Sequence, residues 1–463
     1  MAASSQCGRL ARSAIIMLLA LTLVACATLP DVSNLSASLT PKASPTIETS
    51  HGPLSAKRTR SLLAKRLRSA NLDLPRLAAL EEAATGSPLI AGNKVTLLFD
   101  GPQTIHAMMV AIAGARDSIN VETYIFDQDE LGTKFADLLI ERQRAGVQVN
   151  IIYDSVGTLG TPATFFQRMR DAGIQLVEFN PVNPFKRFGD WRLNNRDHRK
   201  ILVVDGKIGF TGGVNISGDY SHSSLFRSRH KKSTAIGWRD TDVQIEGPAV
   251  ASLQLLFLNS WAEQQADEVL DRDYFPALTA IGDKVVRVVA SAPGQDPTIY
   301  KAYVLAFQQA QKSIHITVPY FAPDQQIMDA LTAAARRGVD VKIIFPSITD
   351  SKLTLYAGQS FYADLLAAGV QIYQLQVAVL HAKTAVIDGN WSTVGSANLD
   401  MRSFLLNREA NLVVLDAAFA QAMESAFQDD LRDSKLMTEA QWEQRPLSQR
   451  LKEWAARRFE YWL

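Results

Sequence analysis

The sequence contains very little cysteine and no excess of either charge. Its two cysteines, Cys7 and Cys26, both lie near the N-terminus, so the rest of the chain can form neither disulfides nor cysteine-ligated zinc sites. The 48 basic and 47 acidic residues give a formal net charge of +1. A general nucleic-acid-binding protein would usually be basic overall, so this balance argues against nucleic acid as a partner. The apolar run from Ala14 to Ala25 is too short to span a bilayer comfortably.

That apolar run has the features of an export signal. Arg9 and Arg12 form a charged segment before it, and Leu23 to Cys26 resembles the lipobox of bacterial lipoproteins. The pattern predicts a signal peptide over residues 1–25 and lipidation of Cys26. The protein would then be a membrane-anchored lipoprotein on the periplasmic side of a bacterial cell envelope, at the inner or outer membrane. An uncleaved signal anchor is the alternative.

Residues 26–85 are predicted to form a flexible tether followed by a basic helical segment. The first part is rich in Ser, Thr, Pro and Ala, a composition typical of disordered linkers. Two basic clusters follow, at 57–60 and 65–68. They could meet anionic lipid, or they could be the solvated face of an ordinary helix.

One short motif, H-x-K-x4-D, occurs twice in the sequence. It begins at His198 and again at His381, and each copy runs into a glycine. The apolar residues between lysine and aspartate predict a buried strand that ends in a turn. Histidine and lysine lie two residues apart, so their side chains share one face of the extended segment.

The sequence after each motif also repeats. Asn215 and Asn398 follow their histidines at the same distance, in the stretches Gly-Gly-Val-Asn and Gly-Ser-Ala-Asn. Further on, Trp-Arg-Asp-Thr-Asp matches Asn-Arg-Glu-Ala-Asn, which pairs Asp240 with Glu409. The first copy carries extra residues between Asn215 and Asp240, among them a basic stretch within 219–234. This stretch could attract anionic headgroups or form a mobile solvated loop. A duplication of this length indicates a repeated fold.

These residues resemble the phospholipase D superfamily, whose signature is two such motifs. Within the superfamily the sequence is most similar to bacterial cardiolipin synthases, through the stretches 196–201, 238–242 and 246–248. The resemblance spans roughly residues 86 to 463. It implies two similar phospholipase D-like lobes that are related by a pseudo-twofold and share one active site.

The pattern of the two halves predicts an α/β fold. Strands alternate with helices in each half, and the segment from Ser118 to Val121 matches that from Ser313 to Ile316. We expect a mixed sheet flanked by helices in each lobe. The first lobe would occupy residues 86–270 and the second 271–463, with a joint between Asp267 and Asp283.

The C-terminal residues carry a helical apolar stripe. Apolar residues recur at every fourth position from Leu447 to Leu463, with two tryptophans nearby and four cations among them. This pattern fits an amphipathic helix at a membrane interface, or a helix packed on the protein body.

The duplicated motif supplies the groups that phosphodiester transfer needs. A neutral imidazole can attack phosphorus and form a phosphatidyl-histidine, and a protonated imidazole can donate to the departing oxygen. We assign the first role to His198 and the second to His381. Lysines and asparagines can hold the phosphate oxygens, and an acid can orient each histidine. The remaining histidines, His106, His222, His230 and His315, lack the motif and are interpreted as structural or surface residues.

The predicted site can be stated residue by residue. The catalytic set is His198, Lys200, Asp205, His381, Lys383, Asp388, Asp240 and Glu409. Within it, Asp205 and Asp388 lie at strand ends and are expected to act as structural ion-pair partners. The predicted substrate-binding residues are Asn215, Asn398, Ser396 and Gly213. The motifs contain no recognisable metal-ligand set, and no cofactor is expected.

The resemblance implies a phosphatidyltransferase at a membrane surface that joins two phosphatidylglycerols into cardiolipin and releases glycerol. A phospholipase D that hydrolyses phospholipids to phosphatidic acid would use the same chemistry. A nuclease fits less well, because the net charge is near zero and a lipid anchor is predicted. A catalytically inactive lipid-binding scaffold is a further alternative, but the intact residues in both copies argue against it. The sequence leaves the oligomeric state open.

Overall fold

The computed structural model describes residues 28–42, 44–66, 73–183, 192–221, 237–264 and 272–463. The chain divides into two compact units, Met1–Pro30 and Asp31–Leu463, and the second unit contains both motifs. The predicted signal peptide and Cys26 lie outside the described residues. So do most of the basic stretch after Asn215 and the first part of the predicted joint.

Twenty strands and fifteen α-helices are seen in the described ranges. The strands are β1 Ile47–Glu48, β2 Leu89–Phe99, β3 Ser118–Thr123, β4 Gln148–Asp154, β5 Gln175–Phe179, β6 Arg196–Asp197, β7 Ile201–Val204, β8 Ile208–Gly212, β9 Trp238–Arg239, β10 Thr241–Glu246, β11 Lys284–Ser291, β12 Ser313–Thr317, β13 Phe321–Ala322, β14 Asp340–Ile348, β15 Gln371–Leu380, β16 Thr384–Ile387, β17 Trp391–Gly395, β18 Leu399–Asp400, β19 Asn407–Leu415 and β20 Ser434–Met437. The helices are α1 Leu35–Ser38, α2 Ala56–Arg66, α3 Leu74–Thr85, α4 Gly101–Ala113, α5 Glu130–Arg144, α6 Ala163–Asp171, α7 Val250–Glu263, α8 Thr298–Gln309, α9 Gln325–Arg336, α10 Lys352–Gln359, α11 Tyr362–Ala367, α12 Met401–Leu405, α13 Ala417–Arg432, α14 Glu439–Glu443 and α15 Leu447–Arg457.

The two lobes repeat one sheet topology, as the duplication predicts. The first lobe has the strand order β2-β10-β8-β7-β3-β4-β5. The second has the order β11-β19-β17-β16-β12-β14-β15, with the same parallel and antiparallel pairings. Strand β2 also pairs with β11 through its first half, so one long strand joins the two sheets. The predicted α/β fold with two similar mixed sheets is confirmed.

The first lobe has an apolar core on the outer face of its sheet, and a further core lies between the lobes. In the first lobe α4, α5 and α6 pack on β3 and β4, whose residues are all buried. The shared core contains Val203 and Val243 from one sheet together with Val386 and Leu412 from the other. Alternate residues of the central strands therefore face two different apolar layers, which explains their nearly continuous hydrophobic sequence.

The N-terminal part of the predicted tether is ordered, contrary to expectation. Val32 and Ile47 are fully buried, and β1 pairs in parallel with β2. Helix α3 packs on α8, and its buried Glu81 forms an ion pair with Arg287. The Ser- and Pro-rich composition predicted disorder, but a few apolar anchors are enough to fix this segment on the second lobe.

Helices α2 and α15 contain the basic and apolar residues that the sequence predicts to contact a membrane. In α2 the basic residues Lys57, Arg58 and Arg60 are exposed, while Leu63 is buried. Helix α15 packs against α10 but leaves Leu447 and Leu451 exposed. Among the described residues, none of the helices is both long enough and apolar enough to cross a bilayer.

Candidate active site

The two motif histidines line one cavity of about 330 Å³. His198 comes just before β7 and His381 just before β16, the equivalent strands of the two lobes. Both side chains are largely buried, with 9% and 5% of their surface exposed. Both motif histidines therefore lie on one cavity, as expected if the two motifs share a site.

Two short parallel strand pairs, one for each histidine, hold the two histidines against the opposite lobe. Strand β6 pairs with the start of β19, and the His198 N–H donates to the Arg408 carbonyl at 3.0 Å. Strand β9 pairs with the end of β15, and the His381 N–H donates to the Arg239 carbonyl at 2.8 Å. Each histidine thus lies beside the residue that precedes the other lobe's acid.

The acids are exchanged between the lobes as a result. Nδ1 of His198 lies 3.0 Å from both carboxylate oxygens of Glu409, and Nδ1 of His381 lies 2.7 Å from Oδ2 of Asp240. Both acids are fully buried. An Nδ1–H held by a carboxylate leaves Nε2 as the reactive ring nitrogen, as in a catalytic triad.

The two histidine–acid pairs differ electrostatically. Burial and the charges of Lys200 and Lys383 hold the pKa of His198 well below its usual value, and burial raises the pKa of Glu409 to about 7. Burial and Lys383 also lower the pKa of His381. Burial alone would raise the pKa of Asp240, but the charge and hydrogen bond of His381 outweigh it and leave that pKa lowered. The Asp240 carboxylate is therefore the better stabiliser of an imidazolium.

The motif lysines lie beneath the histidines and do not line the cavity wall. Nζ of Lys200 donates to the His198 carbonyl at 2.6 Å, and Nζ of Lys383 lies 3.0 Å from Nδ1 of His381. Burial and the charge of Lys383 lower the pKa of Lys200 to about 7, and burial lowers the pKa of Lys383 to about 8. When both lysines are protonated, they place positive charge behind the two histidines, which favours an anion in the cavity.

The predicted substrate-binding residues divide into two pairs. Asn215 and Asn398 line the cavity. Ser396 and Gly213 instead lie behind it, against the two acids. The Ser396 hydroxyl donates to the Glu409 carboxylate, and a Cβ on Gly213 would come within 2.1 Å of the Asp240 Oδ1. The motif spacing could not separate these positions, because both pairs follow their histidines at equivalent distances.

Asp205 and Asp388 hold the main chain rather than a cation. The Asp388 carboxylate accepts hydrogen bonds from the N–H groups of residues 311, 312 and 313, at 2.7–2.9 Å. Asp205 does the same for residues 116, 117 and 118. Both have a φ of 52°, and the following Gly206 and Gly389 also adopt positive φ. The expected ion pairs are replaced by amide hydrogen bonds, because each turn reaches the start of β3 or β12.

Several residues around the two histidines are not predicted by the sequence. Tyr220 places its hydroxyl 3.2 Å from Nδ1 of His381 and accepts from Asn215 at 3.0 Å. The Tyr124 ring packs edge-on to His198, and Trp238 packs on His381 with centroids 5.0 Å apart. Arg402 and Trp462 also line the cavity. Only Trp238 carried a signal, since it precedes Arg239 and Asp240 in the second repeated stretch.

No metal site is evident among the residues that the structure describes. These residues include no group of three or more histidine, cysteine, aspartate or glutamate side chains placed to hold an ion. The other buried histidine, His315, is held by Glu424 at 2.8 Å and stacks on Phe427, which fits the structural role predicted for it.

A duplicated α/β fold with two buried histidine–acid pairs around one cavity defines an enzyme of the phospholipase D class. The sequence model of the family described as "Cardiolipin synthase, PLD-like domain" matches residues 108–225 and 303–431. The chain belongs to this cardiolipin synthase family.

Individual relatives support this assignment. The "Probable cardiolipin synthase YwiE" of Bacillus subtilis (strain 168) is 35% identical over 79% of this chain and 72% of the relative. The cardiolipin synthase of Geobacillus sp. (strain WCH70) is 36% identical over 80% of this chain and 72% of the relative. The crystal structure of phosphatidylserine synthase from Haemophilus influenzae Rd KW20 superposes with a TM-score of 0.61. It is 15% identical and covers 80% of this chain and 95% of that one, which shows a shared fold.

Proposed function

We propose that the protein is a phosphatidyltransferase that joins two phosphatidylglycerols into cardiolipin and releases glycerol. The observation that carries this proposal is the pair of histidines on one cavity, each held at Nδ1 by an acid from the other lobe. The family supplies the substrate class, and the site supplies a nucleophile, a proton donor and cations for the phosphate.

In the first half-reaction Nε2 of His198 attacks phosphorus. The bond between phosphorus and the glycerol oxygen breaks, and protonated His381 gives its proton to that oxygen. The pKa values of both histidines are lowered, but that of His198 lies well below its usual value, which favours the neutral nucleophile. Asp240 lies beside His381 and raises its pKa, which favours the protonated acid there. Asn215 and Asn398 line the cavity and can contact the phosphate oxygens, while protonated Lys200 and Lys383 stabilise the charge on those oxygens from behind the histidines.

In the second half-reaction the now neutral His381 removes a proton from a hydroxyl of a second phosphatidylglycerol. The resulting oxygen attacks phosphorus, the bond to His198 breaks, and cardiolipin leaves. The enzyme returns to its starting protonation state. A bilayer supplies the second lipid at high effective concentration, which favours transfer over hydrolysis of the phosphatidyl-histidine.

The proposal includes anchoring of the enzyme on the periplasmic side of the cell envelope through a lipid on Cys26. The lipobox-like stretch from Leu23 to Cys26 supports this part. An anchored enzyme remains at the surface that holds its substrate.

Purified enzyme given phosphatidylglycerol vesicles should release cardiolipin and glycerol in equal amounts, as measured by mass spectrometry. His198→Ala and His381→Ala should each abolish turnover, because each removes a whole chemical step, whereas the exposed His106→Ala should not. EDTA should have no effect, since the histidines and lysines perform the chemistry. Mass spectrometry of enzyme quenched in base should find the phosphatidyl group on the His198 peptide.

If phosphatidic acid were the main product on such vesicles, water would be the acceptor. The hydrolase would then replace the synthase, with the same residues in the same roles. Full activity of either histidine variant would contradict the mechanism itself.

A further inference from the structure

Helix α15 presents its large apolar side chains to solvent and polar or small side chains to the protein, the reverse of an ordinary surface helix. The side that faces the protein carries Glu453, which is 3% exposed and bonded to Arg445 at 2.9 Å, together with Ala456 and Gln449. Gln449 donates to Gln359 at 3.2 Å. These contacts are polar or small, whereas an amphipathic surface helix ordinarily turns its apolar stripe toward the core.

The outward side carries the large apolar residues. Leu447, Leu451 and Trp454 lie on one helical face, at positions i, i+4 and i+7, and are 75%, 67% and 62% exposed. Beyond the helix, Phe459 and Trp462 are 52% and 45% exposed. We call these five residues the C-terminal apolar face. Large apolar side chains exposed together on one helical face, unlike single scattered ones, mark an interaction site.

Basic residues border this face. Arg450 and Lys452 are exposed on the two flanks of α15, and the Arg458 guanidinium lies 5.1 Å from the Trp454 ring centroid. An apolar stripe with cations at its border and tryptophans within it is the composition of helices that lie in a lipid interface. The pattern is complementary to anionic headgroups such as that of phosphatidylglycerol.

The C-terminal apolar face continues into the active site. Trp462 belongs to the face and also lines the cavity that holds both histidines. Helix α10, on which α15 packs, exposes Leu353 on its surface and contributes Thr354 to the cavity lining. A surface that continues into a lipid-processing cavity is suited to a bilayer.

We propose that the C-terminal apolar face inserts into the bilayer interface and holds the cavity mouth at the level of the headgroups. This inference rests on the proposed function, because it assigns a route by which phosphatidylglycerol reaches the site. The contact is additional to the lipid on Cys26, and it fixes orientation where a lipid anchor alone fixes only proximity.

The binding test uses the full chain with Cys7→Ala and Cys26→Ala, which has no cysteine and therefore neither the lipid on Cys26 nor a second site for a thiol-reactive label. An environment-sensitive fluorophore at Leu451→Cys should shift to the blue on phosphatidylglycerol vesicles, and less so on phosphatidylcholine vesicles or at high salt. The same probe at Val110→Cys, which is 60% exposed on α4, should not shift. No shift at position 451, or equal shifts at the two positions, would overturn the proposal.

The activity test compares two forms of the substrate. The double variant Leu451→Glu/Trp454→Glu should lose at least about tenfold in vesicle binding and in activity on vesicles, since both side chains would no longer be buried in lipid. It should retain activity on short-chain phosphatidylglycerol dissolved as monomers. Val110→Glu serves as the matched control and should behave as the wild type in both assays.

The outcomes separate the two proposals. If the variant kept wild-type activity on vesicles, the bilayer contact would be wrong. If it dissociated a dimer without changing vesicle binding, the face would be a contact between copies, and the proposal would also fail. If the wild type bound vesicles through this face but formed no cardiolipin from either substrate form, the proposed function would fail while the surface assignment stood.

Discussion

Each histidine of the active site is oriented by an acid from the other lobe. Glu409 contacts His198 and Asp240 contacts His381, at 3.0 and 2.7 Å. In Glu409→Gln and Asp240→Asn the amide no longer selects the Nδ1–H tautomer or stabilises the imidazolium. We expect kcat to fall by about 10²- to 10⁴-fold in each variant with an unchanged fold, as measured by steady-state kinetics and circular dichroism.

The same two variants should alter the pH profile. Lysine binds phosphate in its protonated form, so activity should fall as the pH rises through the pKa values of about 7 for Lys200 and about 8 for Lys383. Both acids raise these two pKa values. Removing either negative charge should therefore move the alkaline limb to lower pH. Asp137→Asn, on the exposed surface of α5, is the control. If the alkaline limb of the pH–activity profile stayed at the same pH in both active-site variants, the two lysines would not determine its position.

The sequence predicts which residues belong to the site better than it predicts which residues contact one another there. The repeat alignment identifies both acids because their surroundings are duplicated, but equivalence within a repeat does not show which histidine an acid serves. Tyr220 and Arg402 escape prediction for a different reason. They come from segments without a matching residue in the other copy, and only the fold brings Tyr220 against His381 and Arg402 to the cavity.

The turns after β7 and β16 show how the motif aspartates serve the scaffold. Asp388 combines a φ of 52° with three hydrogen bonds from main-chain N–H groups. Asp388→Ala removes those bonds and the side chain's tolerance of the left-handed conformation. The free energy of unfolding should fall by about 2–4 kcal/mol, which urea denaturation would measure.

Asp388→Asn should lose less stability, because asparagine also tolerates positive φ. Exposed Asp171→Ala should lose almost none. The folded fraction of Asp388→Ala should keep a kcat close to that of the wild type. A stable but inactive Asp388→Ala protein would instead place this residue in the chemistry.

Regular elements were predicted best where packing and periodicity agree. The apolar runs of β7 and β16 correctly predict buried strands, because both faces of these strands pack against apolar layers. The segment from Val32 to Ile47 was assigned to a tether because its composition is polar. Its order comes from the pairing of β1 with β2 and from burial on the second lobe, which local sequence does not encode.

For the molecule as a whole, the proposed lipid on Cys26 would determine where the reaction takes place. Labelled fatty acid should be incorporated into the wild-type protein and not into Cys26→Ala, and Cys7→Ala should be labelled normally. N-terminal mass analysis should show that the mature chain starts at Cys26. Uptake of label by Cys26→Ala, or retention of residues 1–25, would contradict the lipoprotein prediction and favour the uncleaved signal anchor.

The two short strand pairs between the lobes, β6 with β19 and β9 with β15, make the active site depend on the complete fold. A single folded lobe would hold a histidine without its acid and half of the phosphate-binding cations. A chain with only one folded lobe therefore lacks a complete site for the transfer. Activity depends on strand pairs between residues far apart in the chain, and neither lobe can supply it alone.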